Sequence, residues 1–297
     1  MRLDGEFPKL SGSAVTLGKF DGIHRGHQKL IRKILEQKEL GAKAVLCAFV
    51  TSGESILSVE ERRDFLEVLG VDVLLECPMD ENIRRMKAET FVREILIGDL
   101  KTSFVAVGED FRFGNERKGT PQLLQDMGKK LGFQTEILSK EMEGHRKVSS
   151  TYVREELARG NMERVTSLLD RRFLVKGIVE HGRGMGHKFF FPTTNLIPPE
   201  GKLMPPSGVY TTISHFGDQT WQGITNVGYK PTVGEETFLG VETFLFDCET
   251  DLYGQTCTVE FCSFRRPERK FSSFEALREQ LRKDKLDGKR YFDENLF

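Results

Sequence analysis

Short apolar runs alternate with amphipathic segments over residues 1–170 of the chain. The apolar runs are rich in β-branched side chains, as expected for strands that are buried on both faces of a parallel sheet. The predicted strands are Ala14–Leu17, Ala44–Phe49, Val71–Leu75, Phe104–Val107 and Thr135–Leu138. Because strand and helix alternate, this region is predicted to be a doubly wound α/β domain whose ligands bind at the carboxyl ends of the strands.

Helix signals lie between the predicted strands. One helix is predicted from about Gly26 to Leu40 and another through Glu89–Ile97. Ser58–Glu61 matches a capping box, in which a serine hydroxyl and a glutamate cap the same helix start. Thr120 is a suitable N-cap because Pro121, directly after it, is favoured at the first helical position.

The pattern changes to a period of two residues from Arg172 onward. A helical stretch from about Ser150 to Leu169, interrupted at Gly160, separates the two regions. The predicted strands of the second region are Phe173–Val179, Val209–Phe216, Trp221–Val227, Val241–Asp247 and Thr256–Phe264. Turns rich in Gly and Pro separate them, which predicts an antiparallel barrel or sandwich. A last helix follows Ser272, where Ser272–Glu275 matches a second capping box.

The chain length limits the number of domains, and the net charge limits the classes of partner. A chain of 297 residues is long enough for two domains of ordinary size, which we place at 1–170 and 171–297. The net charge is −1, from 44 basic and 45 acidic residues that are interspersed along the chain. No basic face is required by this balance, so nucleic acid is not an expected partner.

Cysteines and apolar runs bear on the cellular compartment. The five cysteines form no C-x-x-C pair, which argues against a disulfide framework or a zinc site and for reduced thiols. The first residues are polar, and no apolar run approaches the ~18 residues that span a bilayer. We expect a cytoplasmic protein without a membrane partner, and the sequence is compatible with a homo-oligomer.

The first candidate site lies at residues 18–27, where a predicted strand meets a helix. Gly18 and Gly22 permit a tight turn, and the backbone N–H groups at the helix start attract phosphate. If the first turn is helical, His24 and His27 lie on one face, where each imidazole can donate a hydrogen bond to a phosphoryl oxygen. A zinc half-site and an incidental pair of surface histidines are the alternatives. A catalytic zinc would need a third ligand, and no further His or Cys cluster is evident.

A second cluster, Lys147–Arg154, carries hydroxyl groups and cations at the start of another helix. An ordinary N-cap explains Ser150 alone. It does not explain why Lys147 and Arg154 flank the same helix entrance, a placement that suits a polyphosphate.

These motifs resemble a known superfamily. Gly-x-Phe-Asp-Gly-x-His-x-Gly-His at 18–27, with Ser-Ser-Thr-x-x-Arg at 149–154, resembles the nucleotidyltransferases of the His-x-Gly-His type. Between them Val107–Gly114, followed by Arg117 and Gly119, is similar to bacterial FAD synthetase. The resemblance implies a Rossmann-like domain, with helices on both sides of a parallel sheet, that transfers the adenylyl group of ATP to FMN.

The resemblance also implies roles for single residues. His24 and His27 would stabilise the α-phosphate of ATP while the phosphate of FMN attacks in line. The residues implied to hold the leaving β- and γ-phosphates are Ser150, Thr151 and Arg154. Further residues implied to bind ATP are Gly18, Phe20, Asp21, Gly22 and Gly26, and those implied to bind flavin or nucleotide are Gly108, Asp110, Phe111 and Arg112. This chemistry needs positioning and charge neutralisation more than a strong base, because the attacking phosphate is already an anion.

The second candidate site lies in the period-two region. No G-x-x-x-x-G-K-[ST] sequence is present, so a kinase site here would cradle phosphates in another way. Gly182, Gly184 and Gly186 suit a flap that closes over phosphate. Thr193 and Asn195 alternate onto one face of an extended segment, and their oxygens suit Mg²⁺. A Gly-rich turn followed by a Pro-Thr bend is the alternative.

Glu242 is an unusual residue for its predicted strand. Its side chain shares a face with Phe244 and Phe246. A carboxylate on the apolar side of a strand is costly unless it is paired or used. A slipped register that turns Glu242 to solvent is the alternative.

The second region resembles riboflavin kinase over residues 172–292. The motifs that carry the resemblance are Pro-Thr-x-Asn at 192–195, Pro-Ser-Gly-Val-Tyr at 206–210, Asn-Val-Gly followed by Pro-Thr-Val at 226–233, Val-Glu at 241–242 and Leu-Tyr-Gly at 252–254. The resemblance implies a six-stranded antiparallel split β-barrel, which the predicted terminal helix follows. It also implies that Thr193 and Asn195 bind Mg²⁺ and ATP phosphates, and that Glu242 deprotonates the ribityl 5′-hydroxyl of riboflavin.

Both halves together, in this order, resemble the bifunctional riboflavin kinase/FAD synthetase family. The resemblance implies ATP, riboflavin and FMN as substrates and Mg²⁺ as the cofactor. Three places depart from the family pattern: Phe49–Gly53 replaces Phe-x-Pro-His-Pro, His187 replaces Arg, and Phe190 replaces Gly. The change to His187 removes a permanent charge beside the phosphates. The alternatives are a chain in which only the adenylyltransferase half is active and a non-catalytic flavin-binding regulatory protein, for which a base at Glu242 would have no use.

Overall fold

The chain divides into two compact units, Met1–Ser150 and Thr151–Phe297. The computed structural model describes residues 2–4, 7–50, 52–180, 193–231 and 237–295. The division after Ser150 separates compact units and does not define catalytic domains. The domain boundary predicted between residues 170 and 171 therefore stays a prediction.

The first unit is built on a six-stranded parallel sheet. Its strands are β1 (Arg2–Asp4), β2 (Ser13–Gly18), β3 (Lys43–Val50), β4 (Val73–Pro78), β5 (Thr102–Gly108) and β6 (Gln134–Leu138). Their order across the sheet is β1-β4-β3-β2-β5-β6, so the order reverses between β2 and β5. The strands predicted from the sequence are all present, and the short edge strand β1 is additional.

Helices and a small hairpin complete the first unit. The helices are α1 (Arg25–Glu36), α2 (Val59–Leu69), α3 (Glu81–Arg85), α4 (Ala88–Thr90) and α5 (Pro121–Leu131), and the hairpin consists of β7 (Met142–Glu143) and β8 (Arg146–Lys147). Short 3₁₀ turns at Gln37–Leu40 and Asn115–Arg117 accompany them. The predicted capping box at Ser58 and the predicted N-cap at Thr120 are both confirmed.

Alternate residues of the central strand β2 enter two separate cores. Val15 and Leu17 pack with side chains of the segment after α4 and of α5, among them Phe91 and Leu124. Ala14 lies in the core on the opposite face, to which α1 and α2 contribute. Helices therefore cover both faces of the sheet, and the predicted doubly wound class is confirmed.

The helix predicted through Glu89–Ile97 is present but differs in its winding. After α4 it continues as the π-helical segment Phe91–Asp99. Its wide turns end where the N–H of Leu100 donates to the carbonyl of Ile95, five residues earlier, at 2.9 Å. The apolar pattern of this segment predicts a helix but does not distinguish one helical period from another.

The second unit contains a curled six-stranded antiparallel sheet in the order β10-β13-β12-β11-β14-β9. Its elements are α6 (Ser150–Ala158), which begins at the last residue of the first unit, α7 (Met162–Leu169), β9 (Phe173–Ile178), β10 (Thr193–Leu196), β11 (Gly208–Phe216), β12 (Gln219–Pro231), β13 (Thr237–Leu245), β14 (Thr256–Pro267) and α8 (Phe274–Glu294). The sheet curls until its two edges meet, where the N–H of Glu180 donates to the carbonyl of Asn195 at 2.9 Å. The predicted six-stranded antiparallel split β-barrel with a terminal helix is confirmed as a curled, half-barrel sheet followed by α8.

The predicted start of the terminal helix is wrong by one residue. Ser273, and not Ser272, is the N-cap of α8, and its hydroxyl accepts from the N–H of Ala276 at 3.2 Å. The extended backbone of Ser273 places its hydroxyl within reach of that N–H group. Within the described parts of the chain, no helix combines the length and the apolar character that crossing a bilayer requires.

Candidate functional site

A cavity of about 510 Å³ opens in the first unit beside the carboxyl ends of β2 and β5. This is the place where the strand order reverses, and in doubly wound sheets ligands bind at such a point. The predicted site residues that line the cavity are Gly18, His24, Gly26, His27, Gly108, Asp110, Phe111, Arg112 and Ser150.

His24 sits at the start of α1 as its N-cap, with an extended backbone. Its Nδ1 atom accepts a hydrogen bond from the backbone N–H of His27 at 3.3 Å. Because Nδ1 acts as the acceptor, the proton of the neutral ring is on Nε2, which is then a hydrogen-bond donor. The helix cap therefore fixes the tautomer of His24.

His27 stacks on His24, with ring centroids 3.7 Å apart and ring planes 15° apart. Burial of its ring, and secondarily the nearby charge of a protonated His24, lower the pKa of His27 well below its usual range. Among the described residues, no group bonds to its buried Nδ1 atom. The ring of His27 is thus neutral near pH 7, and the pair of imidazoles has hydrogen-bonding capacity to offer an anionic ligand.

The loop before α1 is held in a strained conformation. Phe20 and Ile23 are buried non-glycine residues with φ of 46° and 44°, in the left-handed region that costs an L-residue about 1–2 kcal/mol. The ring of Phe20 lies 4.8 Å from that of His27. Asp21 accepts a hydrogen bond from the N–H of Ile56 at 2.8 Å, and Gly22 leaves room for the Ile56 side chain.

Three residues of this loop stand behind the cavity wall and do not line it: Phe20, Asp21 and Gly22. Their contacts support His27 and anchor the loop to the segment around Ile56. As ATP-binding residues they remain a prediction.

A second group of lining side chains is apolar and aromatic. Phe111 and Phe113 stack with centroids 5.5 Å apart, and Phe113 approaches Phe91 at 5.8 Å. Arg112 donates to the carbonyl of Phe111 at 2.7 Å, and Asp110 forms an ion pair with Lys140. Aromatic faces beside guanidinium groups suit a planar ring that carries a phosphate.

Sequence reasoning missed much of this apolar wall. The missed lining residues are Met79, Ile83, Met86 and Phe91, whereas Phe113 was predicted only as part of the 107–114 motif and Phe49 only as part of the departure at 49–53, neither with a role in binding. Phe49 and Met79 lie at the carboxyl ends of β3 and β4, so the rule for doubly wound sheets could have found them. The positions of Ile83 and Met86 depend on how α3 folds over the sheet, which no local pattern shows.

The backbone of Gly114 lies close to the backbone of Ala88, and a substitution tests this contact. Gly114 has φ of 68°, and a Cβ atom there would lie 2.7 Å from the backbone nitrogen of Ala88. Gly132, the C-cap of α5, has φ of 84° and ψ of 28° with open space around the Cβ position, so it serves as the reference for left-handed strain alone. Gly132→Ala incurs the left-handed strain of about 1–2 kcal/mol, whereas Gly114→Ala adds a backbone clash to the strain of φ 68° and ψ −179°, a conformation that is essentially confined to glycine.

We therefore expect Gly114→Ala to lower the free energy of unfolding by more than Gly132→Ala, as measured by urea denaturation. Equal losses for the two variants would contradict the close approach to Ala88.

The second predicted phosphate cluster begins at the end of the first unit in sequence. Ser150, at the start of α6, lines the cavity together with Ser149. The segment leading to them is tied to α1 by two ion pairs, Arg25–Glu143 at 2.8 Å and Lys29–Glu141 at 2.9 Å. The remaining predicted residues of the cluster, Thr151 and Arg154, lie further along α6 in the second unit.

In the second unit, strands β10 and β13 bring three predicted residues together. Asn195 pairs with Glu242 and Thr193 pairs with Phe244, so Thr193, Asn195 and Glu242 share one face of the sheet. The hydroxyl of Thr193 donates to Oε1 of Glu242 at 2.8 Å. The Glu242 side chain is 34% exposed, so the carboxylate is half-buried and paired.

Lys230 joins this site, and sequence reasoning missed it. Its ammonium group donates to Oε2 of Glu242 at 2.7 Å and to Oδ1 of Asn195 at 3.0 Å. The signal that could have found it is its position on β12, four residues after Asn226, the residue that pairs with Glu242. Because side chains alternate along a strand, Lys230 and Asn226 lie on the same face.

The oxygens of this site suit a hard divalent cation. Thr193, Asn195 and Glu242 supply hydroxyl, amide and carboxylate oxygens, the ligand types that Mg²⁺ prefers, and two of these side chains already contact the positive charge of Lys230. In the described part of the chain, no three or more His, Cys, Asp or Glu side chains are grouped so as to hold a metal ion. The predicted flap glycines Gly182, Gly184 and Gly186, and the departures His187 and Phe190, lie outside the described residues.

Two family models match the chain. The model for FAD synthetase matches residues 7–152, and the model for riboflavin kinase matches residues 169–292. The first match contains the cavity with the histidine pair, and the second contains the Thr193–Glu242 site.

Curated relatives match this chain over nearly its whole length. The bifunctional riboflavin kinase/FMN adenylyltransferase of Haemophilus influenzae is 31% identical over 296 residues, which cover 96% of this chain and 96% of the relative. The protein of the same name from Escherichia coli K12 is 33% identical over 296 residues, with 95% and 93% covered. The one from Bacillus subtilis is 33% identical over 295 residues, with 94% and 92% covered.

A solved structure has a similar fold. The crystal structure of a Streptococcus pneumoniae protein described as a macrolide-efflux protein gives a TM-score of 0.86 at 25% identity, and the match covers 97% of this chain and 98% of that chain. This likeness concerns the fold, and the description belongs to that protein.

Proposed function

The chain belongs to the bifunctional riboflavin kinase/FMN adenylyltransferase family, and from this premise we propose which residues carry each of its two reactions. The protein phosphorylates riboflavin to FMN with ATP, and it transfers the AMP part of ATP to FMN to give FAD and pyrophosphate. The FAD synthetase region comes first in the chain and the riboflavin kinase region second. We assign them to domains at 1–170 and 171–297.

Adenylyl transfer takes place in the cavity of the first unit. A phosphate oxygen of FMN attacks the α-phosphorus of ATP, the bond from that phosphorus to the bridging oxygen breaks, and pyrophosphate leaves. His24 and His27 donate ring N–H groups to the α-phosphate oxygens, where negative charge concentrates in the transition state. The observation that supports this assignment is the stacked pair of imidazoles on the cavity wall, one of which has its tautomer fixed by the helix cap.

The remaining predicted residues position the two substrates. The FMN ring takes the aromatic part of the cavity near Phe111, with its phosphate in reach of Arg112. Gly108 and Asp110 border the same part. Gly18 and Gly26 let the nucleotide approach the backbone, and the motif residues proposed to hold the leaving phosphates are Ser150, Thr151 and Arg154.

Phosphorylation of riboflavin takes place around Glu242. The carboxylate accepts the proton of the ribityl 5′-hydroxyl, the hydroxyl oxygen attacks the γ-phosphorus of ATP, and ADP leaves. The hydrogen bond from Thr193 orients the carboxylate for this step. The contact between Glu242 and the Thr193–Asn195 pair is the single observation that carries the kinase assignment.

ATP-using kinases and adenylyltransferases of this family generally need a divalent metal, and we propose Mg²⁺. Thr193 and Asn195 would hold it by their side-chain oxygens, beside the phosphates of ATP. Bound there, Mg²⁺ would neutralise phosphate charge. We also propose a cytoplasmic location and small molecules as the partners, in keeping with five free cysteine thiols.

One assay tests the proposed function. The purified protein is incubated with riboflavin, ATP and Mg²⁺, and the flavins are separated by chromatography. We expect FMN to form first and FAD to follow, and omission of Mg²⁺ should stop both. FAD from supplied FMN but not from riboflavin would show a chain in which only the adenylyltransferase works. Flavin binding without turnover would indicate a regulatory protein.

A further inference from the structure

Lys230 occupies a central place in the kinase site that the proposed reaction does not explain. Its ammonium group lies 2.7 Å from Oε2 of Glu242 and 3.0 Å from Oδ1 of Asn195. The three residues come from neighbouring strands β12, β13 and β10, so the fold itself brings them together. A positive charge thus sits between the residue proposed as base and a residue proposed as metal ligand.

Both oxygens of the Glu242 carboxylate already accept a hydrogen bond. Oε1 accepts from the Thr193 hydroxyl, and Oε2 accepts from the ammonium group. The carboxylate oxygen that would receive the substrate proton is therefore engaged, and its negative charge is balanced by Lys230. A base for the ribityl hydroxyl needs an oxygen that is within reach of that hydroxyl and not already bound to a cation.

The stem of Lys230 lies beside Gly240, which has no side chain to crowd it. A Cβ atom at Gly240 would lie 3.1 Å from both Cδ and Cε of Lys230, so the absence of a side chain there leaves room for the stem. The side chain is 26% exposed, and lysine has an unbranched, flexible stem. Movement of the ammonium group to solvent or to a phosphate would therefore need rotation of this side chain alone.

We infer that Lys230 is a placeholder cation of the kinase site. Its ammonium group neutralises Glu242 and occupies Asn195 in the resting protein, and it leaves Asn195 when a divalent cation takes that oxygen. Two positive charges within hydrogen-bonding distance of one amide oxygen repel each other, so the two cations exclude one another. The departure of Lys230 frees Oε2 to accept the proton of the ribityl hydroxyl, which couples arrival of metal and ATP to activation of the base.

The inference rests on the kinase roles proposed for Thr193, Asn195 and Glu242, and it is tested by metal binding without turnover. Mn²⁺ is titrated into the full-length protein in the absence of nucleotide, and free Mn²⁺ is measured by electron paramagnetic resonance. We expect Lys230→Met, which keeps the stem and removes the charge, to bind Mn²⁺ about tenfold more tightly than the wild type. Lys230→Arg should bind like the wild type, because it retains the charge.

The site of the added binding is identified by a double variant. Asn195→Ala in the Lys230→Met background should abolish the gain, and Lys230→Gln provides a second neutral variant should the methionine variant fold poorly. Equal Mn²⁺ affinity in the wild type and the neutral variants, or a gain that survives Asn195→Ala, would overturn the inference. Neither result contradicts the proposed function, because that proposal is tested separately by whether FMN formation requires Glu242.

As a positioning residue, Lys230 should also affect the metal requirement of the kinase reaction. We expect Lys230→Met to reach half-maximal FMN formation at about a tenfold lower Mg²⁺ concentration than the wild type. A lysine with a merely structural role would change the rate at all Mg²⁺ concentrations alike, and that result would count against the inference.

Discussion

The Glu242→Gln protein should form FAD from supplied FMN at the wild-type rate and should form almost no FMN from riboflavin. Glutamine has the shape of glutamate, and its amide oxygen still accepts the hydrogen bond of Thr193, which is 2.8 Å in the wild type. It cannot accept a proton from the ribityl hydroxyl. Loss of a positioned general base typically lowers a rate by about 10²–10⁴-fold.

The control for this variant is Glu260→Gln. Glu260 is also a strand carboxylate of the second unit, and it pairs with Arg172 at 3.0 Å. Both ion pairs are partly exposed, so each contributes only about 0–1 kcal/mol to stability and neither variant should unfold the protein. The rates are measured by chromatography of flavins with riboflavin or FMN as the starting substrate. A Glu242→Gln protein that still phosphorylates riboflavin at a rate near that of Glu260→Gln would exclude Glu242 as the base.

The fold was largely predictable because its local signals agree with its tertiary structure. Strands β2 to β5 are buried on both faces, so their sequences are short apolar runs between helices. The caps at Ser58 and Thr120 place two helix starts correctly, because the hydroxyl groups bond to N–H groups three residues ahead. Strand β1 was missed because Arg2–Asp4 is three residues long and has no apolar pattern.

The geometry of the candidate sites was predictable where the residues concerned are close in sequence. His24 and His27 are three residues apart, so one helix start brings them together whatever the rest of the chain does. Thr193 and Asn195 likewise share a strand face by alternation. Lys230 acts on Asn195 from 35 residues away, through the register of β12, β13 and β10. Alternation gives the face on which Lys230 lies but not its distance from a strand two places away.

His27→Ala should have the opposite effect to Glu242→Gln. Removal of a single hydrogen-bond donor to transition-state charge typically lowers a rate by about 10²–10³-fold. We therefore expect FAD formation from FMN to fall by about that factor, while FMN formation from riboflavin continues at the wild-type rate. His145→Ala, which removes an exposed histidine of the same unit, should change neither rate.

A second variant separates chemistry from packing. The ring of His27 stacks on His24 and contacts Phe20, so alanine also removes packing. His27→Gln keeps an N–H donor near the same place and should recover part of the lost rate. If alanine and glutamine variants lose FAD formation equally while the free energy of unfolding falls in both, His27 has a structural role and not the proposed one.

The pKa of His27 provides a test that does not depend on turnover. Burial and the charge of His24 lower this pKa in the free protein, so the ring is neutral near pH 7. A bound phosphate brings negative charge that favours the protonated ring, so ATP should raise the pKa of His27, and ATP binding below neutral pH should take up protons. Calorimetry in buffers of different ionisation enthalpy measures this uptake. The uptake should shrink in His27→Ala and persist in His145→Ala, because only a ring in contact with the phosphates changes its proton affinity when they bind.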